Sequence, residues 1–184
     1  MRAYIFDYDG TLVDTMPALE TLAVEILHRR GLDPATISIW YRRTSGMPFK
    51  DQVEHLKEIA PADRDEIVAE FQERKTTIQA TALAIVEIRD LVLMLAKTGV
   101  LLGVCSSTEN LYLRSALDRE YSDVSFAYVG GIENGSKRNQ IQQFLDLINQ
   151  TLVFVGDSQY DLQLAASLDL DFLSVSALLD LARL

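Results

Sequence analysis

The chain has 184 residues, 48% of them hydrophobic and 24% charged, a balance typical of one globular domain or of a core with a modest insertion. Its formal net charge of −10 repels nucleic acid phosphates and anionic lipids, so we expect neither as a partner, and an anionic substrate would need a local cation or metal. Cys105 is the single cysteine, so we expect no internal disulfide. The N-terminus shows no signal-peptide pattern, and no apolar run reaches the ~18 residues of a membrane span. We therefore expect a cytoplasmic protein.

Two acids follow the first apolar run of the chain. Residues 3–6, with the sequence AYIF, predict a buried strand that ends at Asp7 and Asp9, and Gly10 lets the chain turn immediately afterwards. Side chains alternate along a strand, so both carboxylates can lean to the same side. Two neighbouring anions repel, and the pair therefore needs a cation or a shared proton. This pattern predicts a metal-assisted catalytic site within the first ten residues.

The next part of the chain, residues 15–80, carries helical patterns and no strand pattern. A first helix is predicted over 17–30, where Gly31 ends it. Two short helices are predicted within 36–60, separated near Ser45-Gly46-Met47-Pro48, and a charged amphipathic helix over 62–79. We therefore predict a helical insertion between strand-like segments.

Strands and helices alternate from residue 81 onward. Predicted helices cover 82–97, 109–119, 136–149, 160–168 and 177–184, and predicted strands cover 100–105, 125–129, 152–155 and 171–175. This alternation predicts an α/β fold in which helices cover both faces of an open parallel sheet.

Polar residues stand where several of these strands end. Ser106, Ser107 and Thr108 follow the second strand, and residues 156–161 (GDSQYD) follow the fourth. Lys137 opens the helix that leads into the fourth strand. In open parallel sheets ligands bind outside the carboxyl ends of the strands, so we expect carboxylates, a hydroxyl and an ammonium to converge on one edge.

The order of these residues resembles the four motifs of the haloacid dehalogenase-like superfamily. Asp7-Tyr8-Asp9-Gly10-Thr11-Leu12-Val13-Asp14 is similar to the first motif, Ser106 to the second, Lys137 to the third and Gly156-Asp157-Ser158-Gln159-Tyr160-Asp161 to the fourth. Lys137 lacks the proline that follows it in many members, and Arg138 stands there instead. The helical stretch lies where members of the phosphatase and phosphomutase branch carry a cap. The resemblance implies a Rossmann-like core of residues 1–14 and 81–184 with an all-helical cap of residues 15–80.

The resemblance also implies roles for the motif residues. Asp7 would attack phosphorus to give an aspartyl-phosphate, and Asp9 would protonate the leaving oxygen and then deprotonate the hydrolytic water. Ser106 would donate a hydrogen bond to the phosphate, unless Ser107 or Thr108 makes that contact and Ser106 caps the following helix. Lys137 would neutralise charge on the phosphate oxygens and tether Asp7.

A magnesium ion is implied by the same resemblance. Mg²⁺ prefers hard oxygen ligands, which Asp7, Asp157 and the backbone carbonyl of Asp9 would provide. Asp161 would position Asp157 or a water on the metal, or bind directly. The ion would reduce the repulsion between the Asp7 carboxylate and an anionic phosphate.

These roles together predict a Mg²⁺-dependent phosphatase acting on a small phosphomonoester. The nearest alternative is a sugar phosphomutase similar to β-phosphoglucomutase, and less favoured alternatives are a dehalogenase and a non-catalytic binding protein with the same fold. We interpret the remaining charged, imidazole and thiol groups as surface or packing residues, namely Arg42, Arg43, Lys50, His28, His55 and Cys105. The sequence carries no signal of an oligomer interface.

Overall fold

The computed structural model describes residues 2–182 of the chain. Within that range the strands are β1 (Arg2–Asp7), β2 (Leu102–Cys105), β3 (Tyr128–Gly130), β4 (Thr151–Gly156) and β5 (Asp171–Ser174). The α-helices are α1 (Met16–His28), α2 (Pro34–Thr44), α3 (Phe49–Glu54), α4 (Pro61–Thr81), α5 (Val86–Lys97), α6 (Asn110–Glu120), α7 (Lys137–Leu147), α8 (Gln159–Ser167) and α9 (Val175–Ala182). None of these helices is both long and apolar enough to cross a bilayer.

All five strands are parallel and lie in the order β3-β2-β1-β4-β5, which confirms the predicted α/β fold. From the central strand β1 the chain builds β2 and β3 on one side and β4 and β5 on the other. The order therefore reverses beside the carboxyl end of β1, where ligands bind in open sheets. Asp7, the last residue of β1, pairs in register with Cys105 at the end of β2.

Helices cover both faces of the sheet because apolar side chains leave β1 on alternate sides. Ile5 joins a buried cluster with Phe144 of α7 and Leu164 of α8. Phe6 joins a second cluster with Val92 of α5 and Leu113 of α6. A strand that is buried on both faces reads as a continuous apolar run, as the sequence indicates.

Residues 16–81 form helices α1 to α4 with an apolar cluster of their own. Leu22 and Ile26 of α1 pack with Phe49 of α3 and Phe71 of α4. The rings of Phe49 and Phe71 stack with their centroids 3.6 Å apart. Ile67 of α4 is fully buried in the same cluster. The helical segment therefore has a hydrophobic core separate from the two cores of the sheet.

Two short linkers join the helical segment to the sheet. Residues 82–85 run beside residues 12–14, where the Asp14 amide donates to the Leu83 carbonyl (3.0 Å) and the Ile85 amide to the Leu12 carbonyl (3.1 Å). The predicted helix over 82–97 is therefore wrong in its first turn, and α5 begins at Val86. The backbone groups of residues 82–85 bind outside a helix, which overrides the helical propensity of their side chains.

Two further predicted elements are shifted. The strand predicted over 125–129 is β3, which begins at Tyr128, and the Phe126 ring before it packs edge-on against Tyr121. The helix predicted over 177–184 begins earlier, at Val175, where the Ser174 hydroxyl accepts a hydrogen bond from the Ala177 amide (3.2 Å). Residues 183 and 184 of that prediction lie outside the described part of the chain.

Candidate active site

Asp7 lies buried at the carboxyl end of the central strand. Its Oδ2 atom is 2.8 Å from the Lys137 Nζ atom, and its Oδ1 atom accepts a hydrogen bond from the Tyr8 amide (2.7 Å). Burial raises the pKa of the Asp7 carboxyl well above its usual value; Lys137 opposes this rise, and the charges of Asp161 and Asp157 add to it. The fold thus places a carboxylate where only specific partners stabilise its charge.

Lys137 connects two of the acids. It opens α7, whose N-cap is Ser136, and its side chain is 6% exposed. The Nζ atom lies 2.8 Å from Asp7 Oδ2 and 2.9 Å from Asp161 Oδ1. Burial alone would lower the pKa of the ammonium, but the two carboxylates outweigh it and raise the pKa well above the usual value. Lys137 is therefore a charged group fixed inside the site rather than a solvated surface lysine.

Asp161 is held rigidly at the start of α8. Ser158 and Asp161 form a reciprocal capping box, in which the Ser158 hydroxyl accepts from the Asp161 amide (3.1 Å) and the Ser158 amide donates to Asp161 Oδ2 (3.3 Å). The Ser158 hydroxyl also donates to Asp161 Oδ2 (2.6 Å). Because Asp161 Oδ1 accepts a hydrogen bond from the Lys137 ammonium, both carboxylate oxygens of Asp161 already have partners. A Ser-x-x-Asp spacing after a strand is the sequence signal for this cap.

Three carboxylates gather at this point with a single ammonium. Asp7, Asp157 and Asp161 each have an oxygen within 4.8 Å of the others. Burial, and next the charge of Asp161, raise the pKa of Asp157 from 3.8 to about 6. Lys137 pairs with two of these acids, and when all three are ionised the four groups together carry a net charge of about −2. Hard oxygen donors with this excess charge fit a divalent cation such as Mg²⁺.

The first turn after β1 approaches these acids closely. Gly10 has a φ of +78°, a conformation that side chains disfavour. A Cβ atom at Gly10 would lie 2.5 Å from Asp157 Oδ2. The turn therefore needs glycine both for its backbone conformation and for space beside Asp157.

Asp9 faces a different set of partners from Asp7. Its Oδ1 atom accepts from the Thr15 hydroxyl (2.8 Å), and its Oδ2 atom accepts from the Thr108 hydroxyl (3.1 Å). The Gln79 Nε2 atom lies 3.0 Å and the Lys75 Nζ atom 3.5 Å from Oδ2. Lys75 and Gln79 belong to α4, so the Asp9 carboxylate joins the sheet edge to the helical segment.

The three hydroxyl residues after β2 occupy distinct positions. The Ser106 hydroxyl accepts a hydrogen bond from the Thr108 amide (3.0 Å), and the N-cap residue of α6 is Glu109, so Ser106 is not the helix cap. The buried Gln140 side chain fixes the Ser106 backbone, accepting from its amide (2.9 Å) and donating to its carbonyl (3.0 Å). Ser107 lines the cavity beside Asp7, whereas Thr108 contacts Asp9.

A small cavity separates the sheet edge from the helical segment. Its volume is about 40 Å³, room for no more than a few water molecules. The sheet edge contributes Asp7, Asp9, Ser107 and Lys137 to its lining. The helical segment contributes Met16, Leu19, Tyr41, Gly46, Met47, Phe49, Gln52, Phe71 and Lys75. Two of the predicted acids, one hydroxyl and the ammonium therefore meet under a cover of helices, whereas Ser106, Asp157 and Asp161 lie outside this lining.

Sequence reasoning missed the contribution of α4. Ile67, Phe71, Lys75 and Gln79 recur every four residues, and all four are buried on one face of that helix. The continuation of an apolar stripe by a lysine and a glutamine is the signal that would have indicated them. Tyr41 is buried as well, and burial raises the pKa of its hydroxyl far above the usual value.

The residues that we interpret from the sequence as surface or packing residues lie at the surface or in the core. Arg42, Arg43, Lys50, His28 and His55 are all exposed, and Arg42 pairs with Glu20 at the surface. Cys105 is buried, and burial raises the pKa of its thiol well above the usual value, which keeps it protonated.

Comparison with known proteins places this geometry in context. Residues 4–175 match the family model described as haloacid dehalogenase-like hydrolase. The phosphoglycolate phosphatase of Synechococcus elongatus is 24% identical over 186 residues, which cover 96% of this chain and 84% of that protein.

Solved structures share the fold. A candidate haloacid dehalogenase-like hydrolase from Bacteroides fragilis superposes with a TM-score of 0.77 at 21% identity, over 92% of this chain and 85% of that one. A candidate phosphoglycolate phosphatase from Lactobacillus plantarum gives the same TM-score at 23% identity, over 97% of this chain and 87% of that one. At these identities the likeness establishes a common fold.

Proposed function

The chain belongs to the haloacid dehalogenase-like hydrolase family, as its four motifs predicted, and from this we propose that it is a magnesium-dependent phosphatase acting on a small phosphomonoester. One observation carries the proposal: the buried Asp7 carboxylate lies at the carboxyl end of the central strand, bound to Lys137 and beside two further acids. This is the environment that an attacking carboxylate needs, because its charge is fixed in place and shielded from water.

Asp7 acts as the nucleophile in this proposal. One of its carboxylate oxygens bonds to phosphorus while the bond from phosphorus to the alcohol oxygen breaks, giving an aspartyl-phosphate and an alcohol. The Lys137 ammonium, 2.8 Å from Asp7 Oδ2, holds the carboxylate and faces the phosphoryl oxygens. Its positive charge offsets the repulsion between two anionic reactants.

Asp9 moves the protons. It donates a proton to the departing alcohol oxygen, and its ionised form then takes a proton from the water that attacks phosphorus. That attack releases inorganic phosphate and restores the Asp7 carboxylate. The contacts of Asp9 with Thr15 and Thr108 support this role, since they orient its carboxylate at the cavity that Asp7 also lines.

The phosphoryl group is bound by hydroxyl and ammonium donors. Ser107 and Lys137 both line the cavity, and Ser106 lies buried directly before Ser107 at the end of β2. We assign phosphate binding to Ser106 and Lys137, with Ser107 as the alternative hydroxyl.

The residues that would hold magnesium are Asp7, Asp157 and the backbone carbonyl of Asp9, with Asp161 supporting them. Both oxygens of Asp161 already accept hydrogen bonds from Lys137 and Ser158, which favours a positioning role for it over direct binding. A bound Mg²⁺ supplies positive charge that neutralises the acids and the phosphoryl oxygens.

Residues 15–80 act as a cap over the site, with residues 1–14 and 81–184 as the catalytic core. The separate apolar core of the helices supports this division, as does the small cavity beneath them. A closed cap excludes bulk water and admits only a small substrate. The relative from Synechococcus elongatus makes phosphoglycolate the first substrate to test.

The proposal is tested by incubating purified protein with p-nitrophenyl phosphate, phosphoglycolate and a panel of sugar phosphates, first in Mg²⁺ and then with chelator, and measuring the products. We expect release of inorganic phosphate that requires the metal, and its loss in Asp7→Asn. Asp118→Asn is the matched control, because Asp118 is exposed on α6 and outside the site. Full turnover by Asp7→Asn would remove Asp7 as nucleophile, and an isomerised sugar phosphate without free phosphate would identify a phosphomutase instead.

A further inference from the structure

Gln79 is a buried polar residue in the last turn of α4, and the catalytic scheme above does not use it. Its side chain is 2% exposed and points from the helical segment to the sheet edge. The Nε2 atom lies 3.0 Å from Asp9 Oδ2, 3.3 Å from Asp9 Oδ1 and 2.5 Å from the Thr108 hydroxyl oxygen. Burying an amide is costly unless it is hydrogen-bonded, so these contacts define where the side chain sits.

The donors and acceptors of this group fit together in one way. An amide nitrogen carries two hydrogens, which can go to Asp9 Oδ2 and to the Thr108 hydroxyl. The Thr108 hydroxyl then donates its own hydrogen to Asp9 Oδ2, at 3.1 Å. With the amide reversed, its oxygen would face the Asp9 carboxylate, and this contact would be repulsive. The geometry therefore requires Gln79 to act as a donor here.

From this arrangement we infer that Gln79 is a positioning residue for Asp9, the proton carrier of the proposed reaction. Together with Thr108 it holds the Asp9 carboxylate mainly through Oδ2, and the more weakly held Oδ1 carries the proton to the leaving group. The Thr15 hydroxyl beside Oδ1 can rotate from donor to acceptor and so does not block that proton. Because Gln79 belongs to α4, the position of the helical segment also sets the position of the acid.

This inference rests on the proposed function, since it assigns Gln79 a role through Asp9. A misplaced acid slows the departure of a poor leaving group more than that of a good one, because a good one leaves without a proton. Phenyl phosphate and p-nitrophenyl phosphate differ in this property and little in size. A merely structural role for Gln79 would affect both substrates alike.

The test compares kcat/KM for both esters, in Mg²⁺, among wild type, Gln79→Met, Gln72→Met and Asp9→Ala. Methionine keeps the length of glutamine without its donor, and Gln72 provides a matched change on the same helix, half-buried and outside the cavity lining. We expect Gln79→Met to lower kcat/KM about tenfold for phenyl phosphate and by less than about threefold for p-nitrophenyl phosphate. Gln72→Met should match wild type, and Asp9→Ala should show the same selectivity more strongly.

The inference about Gln79 would be overturned if Asp9→Ala is selective between the esters but Gln79→Met loses kcat/KM equally on both esters or not at all. If Asp9→Ala loses both activities equally, the proton-carrying role in the proposed function fails, and the inference about Gln79 falls with it. A wild type inactive on both esters would reject the phosphatase itself. If Gln79→Met does not fold, judged by its thermal transition, Gln79→Asn withdraws the same donor by one carbon and replaces it.

Discussion

Replacement of Asp157 by asparagine should stabilise the metal-free protein. Asp157 lies beside the carboxylates of Asp7 and Asp161, and burial together with the Asp161 charge raises its pKa from 3.8 to about 6. A carboxyl whose pKa is raised in the folded state weakens the fold increasingly as the pH rises from the unfolded-state pKa to the folded-state pKa, because ionisation is easier in the unfolded chain. The neutral amide removes this cost at nearly the same size.

The size of the effect follows from the pKa of Asp157. A rise from 3.8 to about 6 corresponds to about 3 kcal/mol, at roughly 1.36 kcal/mol for each pKa unit. The protein crowds Asp157 on the side of the acid cluster, but the residue as a whole is exposed, and solvent screening reduces this free energy to about 1 kcal/mol. For a chain of this length that is a rise of about 2–4 °C in Tm. The gain should be complete above pH 6 and fade as the pH falls towards 3.8, where the wild-type carboxyl is protonated as well.

Thermal unfolding in chelator and in Mg²⁺ measures this effect. In chelator at neutral pH, Asp157→Asn should melt above wild type, and Asp118→Asn, an exposed acid outside the cluster, should not change Tm. In Mg²⁺ at a hundredfold excess over Kd, the wild type should gain about 2.7 kcal/mol and the variant much less. Equal melting in chelator, with equal gains in Mg²⁺, would refute the account of the acid cluster as a cation site.

Three other substitutions probe the surroundings of the site. Lys137→Met leaves two buried carboxylates without their cation, so urea unfolding at neutral pH should show a loss of about 3 kcal/mol, and a loss below 1 kcal/mol would contradict the buried pairing. Gly10→Ala strains the turn and crowds Asp157, which should cost about 1–3 kcal/mol and weaken the Mg²⁺-dependent rise in Tm; an unchanged Mg²⁺ response would argue against the turn's role. Arg119→Ala removes hydrogen bonds to the carbonyls of residues 80 and 82, so limited proteolysis should cut the 82–85 linker faster, whereas Arg114→Ala on the same helix should not.

The sheet and its acids were predictable because their signals are local. The apolar run of β1 ends at Asp7, the run of β4 ends just before Asp157, and parallel strands bring their carboxyl ends to one edge. Lys137, by contrast, could be placed only through its resemblance to the third motif of the family, because a lysine at a helix start is usually solvated. The alternation of strands and helices then fixes the fold class.

The helical side of the site could not be placed in the same way. The spacing of Ile67, Phe71, Lys75 and Gln79 indicates that the last two are buried, but it does not show what they face. They contact Asp9 because α4 lies across the sheet edge, and that tertiary relation is not encoded locally. The error at residues 82–85 has a related cause: their apolar side chains favour a helix, but their backbone binds residues 12–14. Both features depend on how two parts of the chain meet, and both concern the boundary between core and helical segment.

The central claim is that phosphate transfer passes through Asp7, and trapping the transferred group tests it most directly. Asp9→Ala leaves Asp7 and Lys137 in place but removes the group that activates water, so rapid acid quenching after mixing with p-nitrophenyl phosphate and Mg²⁺ should capture phosphorylated protein. Mass spectrometry of its peptides should place one phosphoryl group on Asp7, with none in Asp7→Asn. A burst of p-nitrophenol without any phosphorylated peptide, or with the phosphoryl group on another residue, would contradict the account.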